Sequence, residues 1–155
     1  LKDVKVEFSD DKIYLNGRDV SVEIRKTDIG HLSSVFSARK PVRDFLLPVQ
    51  RDAAGRNDLV AEGRDMTTVV FPDAWKKFYI DAKVEIRARR RFLQLKGSGV
   101  PLTEDSAADD VTERDKRDSS RPLSPLKVAE DAVYLDTSGL TIEDTVKNII
   151  EKIKE

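Results

Sequence analysis

The fold of this chain is decided by the stretch Leu59-Val-Ala-Glu-Gly-Arg-Asp-Met-Thr-Thr-Val-Val-Phe-Pro-Asp-Ala74. An apolar run that stops at Gly-Arg-Asp predicts a buried parallel strand over Leu59–Asp65, and ligands bind at the carboxyl ends of such strands. Arg64 offers a fork of donors that suits a phosphate, and Asp65 can accept from an amine or a hydroxyl. An Arg–Asp surface pair at a strand end explains the same residues without a ligand, so this stretch alone leaves both interpretations open.

The composition limits the classes of function. The 155 residues carry 28 basic and 29 acidic side chains, and the net charge of −1 argues against a broad nucleic-acid or membrane surface. There is no cysteine, and the single histidine, His31, cannot build a histidine-based metal site, so we predict no protein metal site. No apolar run approaches the length of a membrane span. We expect a cytoplasmic protein, and a monomer.

The first 54 residues predict a small sheet followed by two helices. Apolar and charged residues alternate over 1–25, and Asn16-Gly17 is a strong tight-turn signal, so three short antiparallel strands are expected. Apolar residues at helical spacing predict two helices within 27–54. Pro41 is placed to open the second helix, and Pro48 to kink it or end it early. The basic residues of that helix, Arg39, Lys40, Arg43 and Arg51, are typical of a solvated face.

The remainder predicts further strands and helices in alternation. Buried strands are expected at Lys77–Ala82 and Ala132–Asp136, with a helix after each. Thr141 and Asp144 form a plausible capping box for the last helix. Together with the strand at Leu59–Asp65, this alternation predicts a parallel α/β sheet with right-handed crossovers.

Two charged helices between these strands have more than one explanation. The helix from about Val84 to Lys96 carries four arginines in five residues, at positions 87 and 89–91, which fit either a phosphate clamp or a salt-bridged surface. A second helix, expected over Asp110–Ser120, has too little apolar surface for a core helix. It fits a mobile element that closes over a ligand, or an exposed helix laced with salt bridges.

Several familiar catalytic motifs are missing from the sequence. The phosphate-cradling loop G-x-x-x-x-G-K-[ST] is absent, as are a complete dinucleotide fingerprint and a serine in a G-x-S-x-G elbow. Pattern alone therefore predicts an α/β domain with arginine–carboxylate clusters, which suggests an anion or a nucleotide as ligand.

Five segments resemble those of the bacterial cytidylate (CMP/dCMP) kinases, in the same order and with matching spacing. They are Gly63-Arg-Asp-Met-Thr-Thr-Val-Val-Phe-Pro-Asp-Ala74, Arg87-Ala-Arg-Arg-Arg-Phe-Leu-Gln-Leu95, Glu113-Arg-Asp-Lys-Arg-Asp-Ser-Ser-Arg121, the region from Pro125 to Thr137, and Gly17-Arg-Asp-Val-Ser-Val-Glu-Ile-Arg25. The resemblance implies an α/β fold in which helices flank a parallel sheet like that of P-loop kinases, incomplete here. It also implies a CMP-binding insert at 1–54, a core at 55–82 and 122–155, and an arginine-rich lid region at 83–121.

The activity that the resemblance implies is transfer of the γ-phosphoryl group of ATP, with Mg²⁺, to CMP or dCMP. The family's acceptor-binding residues would be Ser34, Arg43, Arg64, Asp65, Arg114, Asp118 and Arg121. Ser34, Arg43 and Asp65 would meet the cytosine, Arg64 the acceptor phosphate, and Asp118 and Arg121 the ribose side. Arg87, Arg90 and Arg91, together with Arg64, would act on the transferring phosphates.

Departures from the family leave an alternative open. The family's first strand and phosphate loop are not in this sequence, which also opens without an initiator methionine. We therefore expect a part of a longer protein that is inactive by itself, with no residue assigned to ATP. Thr67 stands where the family usually has glycine and would crowd the acceptor site. The alternative is a catalytically inactive nucleotide-binding fragment or interaction module, and an RNA-binding domain is disfavoured by the charge.

Overall fold

The computed structural model describes residues 3–9, 12–55, 58–97, 99 and 103–155. These residues form a three-stranded antiparallel sheet, a parallel pair of strands and five α-helices. The predicted α/β class, with an incomplete parallel sheet and a small antiparallel sheet, is confirmed.

The antiparallel sheet occupies the beginning of the chain, as predicted. Its strands are β1 (Val6–Ser9), β2 (Lys12–Leu15) and β3 (Arg18–Asp19), in that order. The turn between β2 and β3 places Asn16 and Gly17 at φ angles of 50° and 80°. Tight hairpins of this hand require positive φ at both central residues, which asparagine and glycine adopt at least cost.

Two helices follow the sheet, α1 (Thr27–Ser37) and α2 (Lys40–Ala54). Pro41 lies in the first turn of α2, where its missing N–H costs no helical bond. The expectation that Pro48 ends this helix early is wrong, because α2 continues to Ala54. A proline removes one backbone donor, and the helical bonds on either side of it hold this helix together.

The parallel pair consists of β4 (Phe78–Asp81) and β5 (Val133–Asp136), in the register Phe78↔Val133 to Asp81↔Asp136. The helices α3 (Val84–Gly97) and α4 (Glu104–Ser120) connect the two strands and pack against each other. Small side chains make this contact close, since Ala107 and Ala88 are buried. The strands predicted at Lys77–Ala82 and Ala132–Asp136 are thus confirmed.

The strand predicted at Leu59–Asp65 is not formed. Residues 58–62 have no regular structure, Val60 is fully exposed, and 63–65 form a bend. A strand needs a neighbour to bond its N–H and C=O groups, and no strand among the described residues lies beside this segment. The apolar pattern is typical of a strand, but a pattern does not supply a hydrogen-bonding partner.

Helix α4 begins at Glu104, six residues before the predicted start. Its start is fixed by a capping box, in which Thr103 accepts from the Ser106 amide and the Ser106 hydroxyl accepts from the Thr103 amide. The acidic residues Glu104 and Asp105 lie in its first turn, where negative charge favours the helix dipole. The acidic segment before Asp110 is therefore part of the helix.

The last helix, α5 (Ile142–Lys154), begins at the predicted capping box. The Asp144 amide donates to the Thr141 hydroxyl oxygen at 3.0 Å, and the Thr141 amide donates to the Asp144 carboxylate at 3.4 Å. These bonds satisfy donors that a helix start otherwise leaves unpaired.

Replacing Thr141 with alanine should lower the free energy of unfolding by about 1 kcal/mol, because the N-cap acceptor is lost. Denaturant unfolding monitored by circular dichroism measures the change. The control is Thr112→Ala, in the interior of α4, where the hydroxyl donates to the Ala108 carbonyl. The control should be neutral or slightly stabilising, and an equal loss in both variants would contradict the capping role.

Candidate functional site

The bend at 63–65 leads directly into a single-turn π-helix, Met66–Val70, which we call the π turn. The carbonyl of Asp65 accepts from the amides of Val69 at 2.9 Å and Val70 at 3.2 Å. Val70, which is 2% exposed, anchors the turn in the interior. π-helical turns are rare and often lie at functional sites. Here the turn buries the Asp65 side chain against α2.

A pocket of about 160 Å³ lies between α2, the bend and the end of α4. Its wall combines two apolar side chains of α2, Val42 and Leu46, with charged and polar groups. The remaining lining residues are Ser37, Arg43, Gln50, Arg64, Asp65 and Arg121. An apolar wall with a few convergent polar groups is the usual form of a small-molecule site.

Asp65 is the centre of the charges in this pocket. Its carboxylate is 7% exposed and accepts a hydrogen bond from Nη2 of Arg43. Nη2 of Arg121 lies 4.0 Å from its other oxygen. Arg43 also donates to the Ser37 carbonyl at 3.1 Å, which fixes the guanidinium at the end of α1. Burial lowers the pKa of Arg43, and the positive charge of Arg121 lowers it further.

A second buried carboxylate, Asp118, gathers three arginines. Its two oxygens lie 3.2 Å from Nε of Arg64, 3.8 Å from Nε of Arg114 and 3.9 Å from Nη1 of Arg121. Asp118 and Arg121 follow Arg114 at helical spacing, so one face of α4 and its end point at the bend. This face joins the predicted residues Arg64, Arg114, Asp118 and Arg121 into one cluster.

Some buried polar atoms of this cluster have no hydrogen-bond partner within the protein. They are Nη2 of Arg121, Nε of Arg114 and one oxygen of Asp118. The Arg121 side chain is only 7% exposed, and its Nε already donates to the Ser124 carbonyl at 2.6 Å. Unsatisfied buried donors are costly. A bound group with acceptor oxygens would relieve that cost.

The arginines of α3 have different bonding partners. Arg87 donates to the Ala82 carbonyl at 2.8 Å and to the carboxylate of Asp115. Asp115 also lies 3.7 Å from Nη1 of Arg64, and so it connects α3 with the pocket. Arg91 lies 3.5 Å from Asp110 and faces α4.

Arg90 lies outside this cluster. Its guanidinium donates to the hydroxyl and carbonyl oxygens of Thr137, at 3.0 and 2.6 Å, and to the Leu140 carbonyl at 3.3 Å. These bonds join α3 to the loop after β5. Ser34 lies elsewhere again, on α1, where its hydroxyl oxygen accepts from Arg117 at 3.4 Å.

Sequence reasoning missed some residues that this geometry brings in. Asp115 had no assigned role, and its position three residues before Asp118 on the same helix was the signal that could have identified it. Arg117 had no such signal, and its bond to Ser34 is evident only in the structure. The assignment of all basic residues of α2 to a solvated face is wrong for Arg43, whose side chain is 18% exposed. Arg51 is exposed as predicted, but it is not free in solvent. Arg51 donates to the carbonyls of Val70 and Val69 at 2.9 and 2.8 Å. Periodicity shows that these arginines share a helix but not what faces them.

The described residues contain no cluster of three or more histidine, cysteine or acidic side chains that could hold a metal ion. None of the helices in the described part of the chain is both long and apolar enough to cross a lipid bilayer.

Comparison with known proteins identifies the family of this chain. The family model described as "Cytidylate kinase" matches residues 1–155, which is the whole chain. The chain belongs to the cytidylate kinase family. The resemblance carried by the five sequence segments is thereby confirmed.

Named relatives support the same assignment. The cytidylate kinase of Thermodesulfovibrio yellowstonii is 51% identical over 155 residues, which are 100% of this chain and 70% of that protein. The cytidylate kinase of Thermosipho melanesiensis is 42% identical over 155 residues, covering 71% of its length. That of Lactobacillus johnsonii is 41% identical over 153 residues, which are 99% of this chain and 66% of that protein.

Gly63 gives a direct test of how tightly the bend is packed. A Cβ at this position would lie 2.8 Å from Cε and 3.0 Å from Cγ of Met66. We expect Gly63→Ala to displace Met66 and destabilise the protein by about 1–3 kcal/mol, as overpacking does. Thermal or denaturant unfolding measures this.

The matched comparison is the double variant Gly63→Ala with Met66→Ala. Because the clash is between these two side chains, the double variant should be more stable than the sum of the two single changes predicts. If the two single changes in the free energy of unfolding simply add in the double variant, Met66 is not the side chain that prevents a larger residue at position 63.

Proposed function

We propose that this chain carries the acceptor site of an enzyme that transfers the γ-phosphoryl group of ATP to CMP or dCMP, giving CDP or dCDP. The observation that carries the proposal is the pocket between α2, the bend and α4. Three arginines and a buried carboxylate line it, and Nη2 of Arg121 has no partner. Membership of the cytidylate kinase family across the whole chain supports CMP as the substrate of this pocket.

The base of the acceptor nucleotide is assigned to the Asp65 side of the pocket. An ionised carboxylate only accepts hydrogen bonds, so Asp65 favours the exocyclic amine of cytosine over the carbonyl of uracil. Arg43, bonded to Asp65, orients that carboxylate. The apolar wall formed by Val42 and Leu46 suits the ring. Ser34 is also proposed as a base contact, although it lies on α1 outside the pocket lining and accepts from Arg117.

The phosphate of the acceptor is assigned to Arg64, which lies at the mouth of the same pocket. Arg64 is now near two carboxylates, at 3.2 Å from Asp118 and 3.7 Å from Asp115. A phosphate can replace such contacts because a guanidinium binds either anion through the same fork of donors. Arg114, Asp118 and Arg121 are proposed to reach the nucleotide from α4, with Asp118 and Arg121 on the ribose side.

The transferring phosphates are assigned to Arg64 and to the arginines of α3. Arg87 is linked through Asp115 to Arg64, which makes it the α3 arginine best connected to the acceptor pocket. Arg91 faces α4, and we propose that it approaches the transferring phosphates together with that helix. Arg90 is proposed to reach these phosphates after its hydrogen bonds to Thr137 and Leu140 break. Catalysis of phosphoryl transfer rests on positioning and charge neutralisation, which arginines supply without a covalent nucleophile.

Mg²⁺ is proposed to arrive with ATP. The described residues do not form a cluster that would hold it, so its ligands would be phosphate oxygens and water, as is common for this ion. Apart from the arginines assigned to the transferring phosphates, no residue of this chain is assigned to ATP. We further propose a monomer that acts in the cytoplasm, without nucleic-acid partners.

An inactive nucleotide-binding or interaction module is the weaker alternative, because whole-chain membership of a kinase family favours the enzyme. A coupled ATP-consumption assay with CMP, on the protein expressed at the full length of its gene, separates the two. CMP-dependent turnover supports the enzyme. CMP binding without turnover supports the inactive module.

Asp65 should make the site selective for CMP over UMP. We expect wild-type protein to bind CMP more tightly by roughly 10- to 100-fold, the effect of one hydrogen bond to a charged group. Asp65→Asn should narrow this ratio, because an amide can donate to uracil as well as accept from cytosine. Calorimetric titration with both nucleotides measures it.

The control for this test is Asp73→Asn, an exposed carboxylate beyond the π turn, which should leave the ratio unchanged. Equal affinity of the wild type for both nucleotides would remove Asp65 from the base contact.

Arg64→Ala should slow phosphoryl transfer by an amount equivalent to about 3–4 kcal/mol, since a preorganised positive charge is lost. Steady-state kinetics on the full-length protein measures kcat and the KM for CMP. The control is Arg89→Ala, an exposed arginine of α3, whose kinetics should match the wild type. Near-normal turnover of Arg64→Ala would exclude this residue from the site.

A further inference from the structure

Arg51, near the end of α2, is a largely exposed residue with two well-formed hydrogen bonds. Its Nε donates to the Val70 carbonyl at 2.9 Å, and its Nη2 donates to the Val69 carbonyl at 2.8 Å. The guanidinium therefore acts as a cap on the segment that contains these two carbonyls.

That segment is the end of the π turn. The last carbonyls of any helix lack partners within that helix, and a turn this short is held by few internal hydrogen bonds. The internal bonds are those from Val69 and Val70 to the Asp65 carbonyl and from Phe71 to the Met66 carbonyl at 2.7 Å. Arg51 satisfies the carbonyls left over at the carboxyl end.

The opposite end of the same turn is also held by α2. Arg43 donates to the side chain of Asp65, the residue at which the turn begins. Arg43 and Arg51 are about two helical turns apart on α2, or about 12 Å along its axis. Helix α2 thus holds both ends of the π turn, one through a carboxylate and the other through backbone carbonyls.

We propose that Arg51 is a positioning residue for the acceptor site. It touches the π turn and not the pocket, and it keeps Asp65 and Arg64 in place by fixing the end of the turn that follows them. This inference rests on the proposed function of the pocket. It adds a residue more than ten positions from Arg64 in sequence to the set that determines CMP affinity.

The geometry also explains why arginine is needed at this position. The planar guanidinium presents Nε and Nη2 side by side, and so it can reach two consecutive carbonyls from a fixed orientation. A lysine ammonium is a single point donor on a flexible chain, and it would hold one carbonyl less firmly. Lysine at position 51 should therefore retain part of the CMP affinity that arginine supports. An uncharged side chain of similar length should retain none of this contribution.

The experiment compares Arg51→Met and Arg51→Lys with the control Arg39→Met in full-length protein. Arg39 precedes α2 and lies over the Phe36 ring, away from the π turn. We expect Arg51→Met to weaken CMP binding about tenfold, the effect of losing such hydrogen bonds, and to leave the KM for ATP within about twofold of wild type. Arg51→Lys should lie between, and Arg39→Met should match the wild type.

Amide hydrogen exchange gives a readout that does not depend on CMP. The amides of Val69, Val70 and Phe71 should exchange faster in Arg51→Met than in Arg39→Met, because the turn is released at one end. Faster exchange together with weaker CMP binding and an unchanged KM for ATP supports the positioning role.

The other outcomes overturn the inference. If exchange quickens while CMP affinity stays at the wild-type value, Arg51 stabilises the turn without serving the site. If the KM values for CMP and ATP rise together, its role is general stability. If wild-type protein itself does not bind CMP, the proposed function fails, and the positioning role fails with it even where exchange still quickens.

Discussion

The ion pair between Arg43 and Asp65 is the interaction on which the site depends. Both side chains are largely buried, at 18% and 9% exposure, and they join α2 to the bend that precedes the π turn. A buried pair of this kind is costly to desolvate and gains its value from fixed geometry and further hydrogen bonds. Arg43 donates one to the Ser37 carbonyl, and Nη2 of Arg121 lies 4.0 Å from Asp65. The pair therefore specifies an arrangement more than it adds stability.

Around that pair the charges do not cancel locally. Asp65 and Asp118 together face Arg43, Arg64, Arg114 and Arg121, so positive groups outnumber negative ones in the cluster. Buried donors remain unpaired there, which is a disadvantage for folding alone. An anionic ligand removes that disadvantage, and the same imbalance is what gives the pocket affinity for a phosphate. Stability and function thus make opposite demands on these residues.

Most helices and strands could be predicted from the sequence, because their signals are local. The Asn16-Gly17 turn, Pro41 at the start of α2 and the capping box at Thr141 each act within a few residues. The failures involve partners. Residues 59–65 have a strand-like pattern but no neighbouring strand in the described chain, and the start of α4 depends on a cap at Thr103 that the acidic composition obscured. Local signals therefore locate helices and turns, but they do not tell which strand pairs with which.

The sequence by itself determined the class of the fold and the family, since motif spacing carries both. It also named four of the residues that line the pocket, Arg43, Arg64, Asp65 and Arg121. Only the tertiary structure decided which residues act together. It separated Arg90, bonded to Thr137, from Arg87, which shares Asp115 with Arg64. It also showed that Arg51, a surface residue, donates to two carbonyls at the end of the π turn. The reason is physical: a side chain's type is local information, but its partner is set by how distant segments pack.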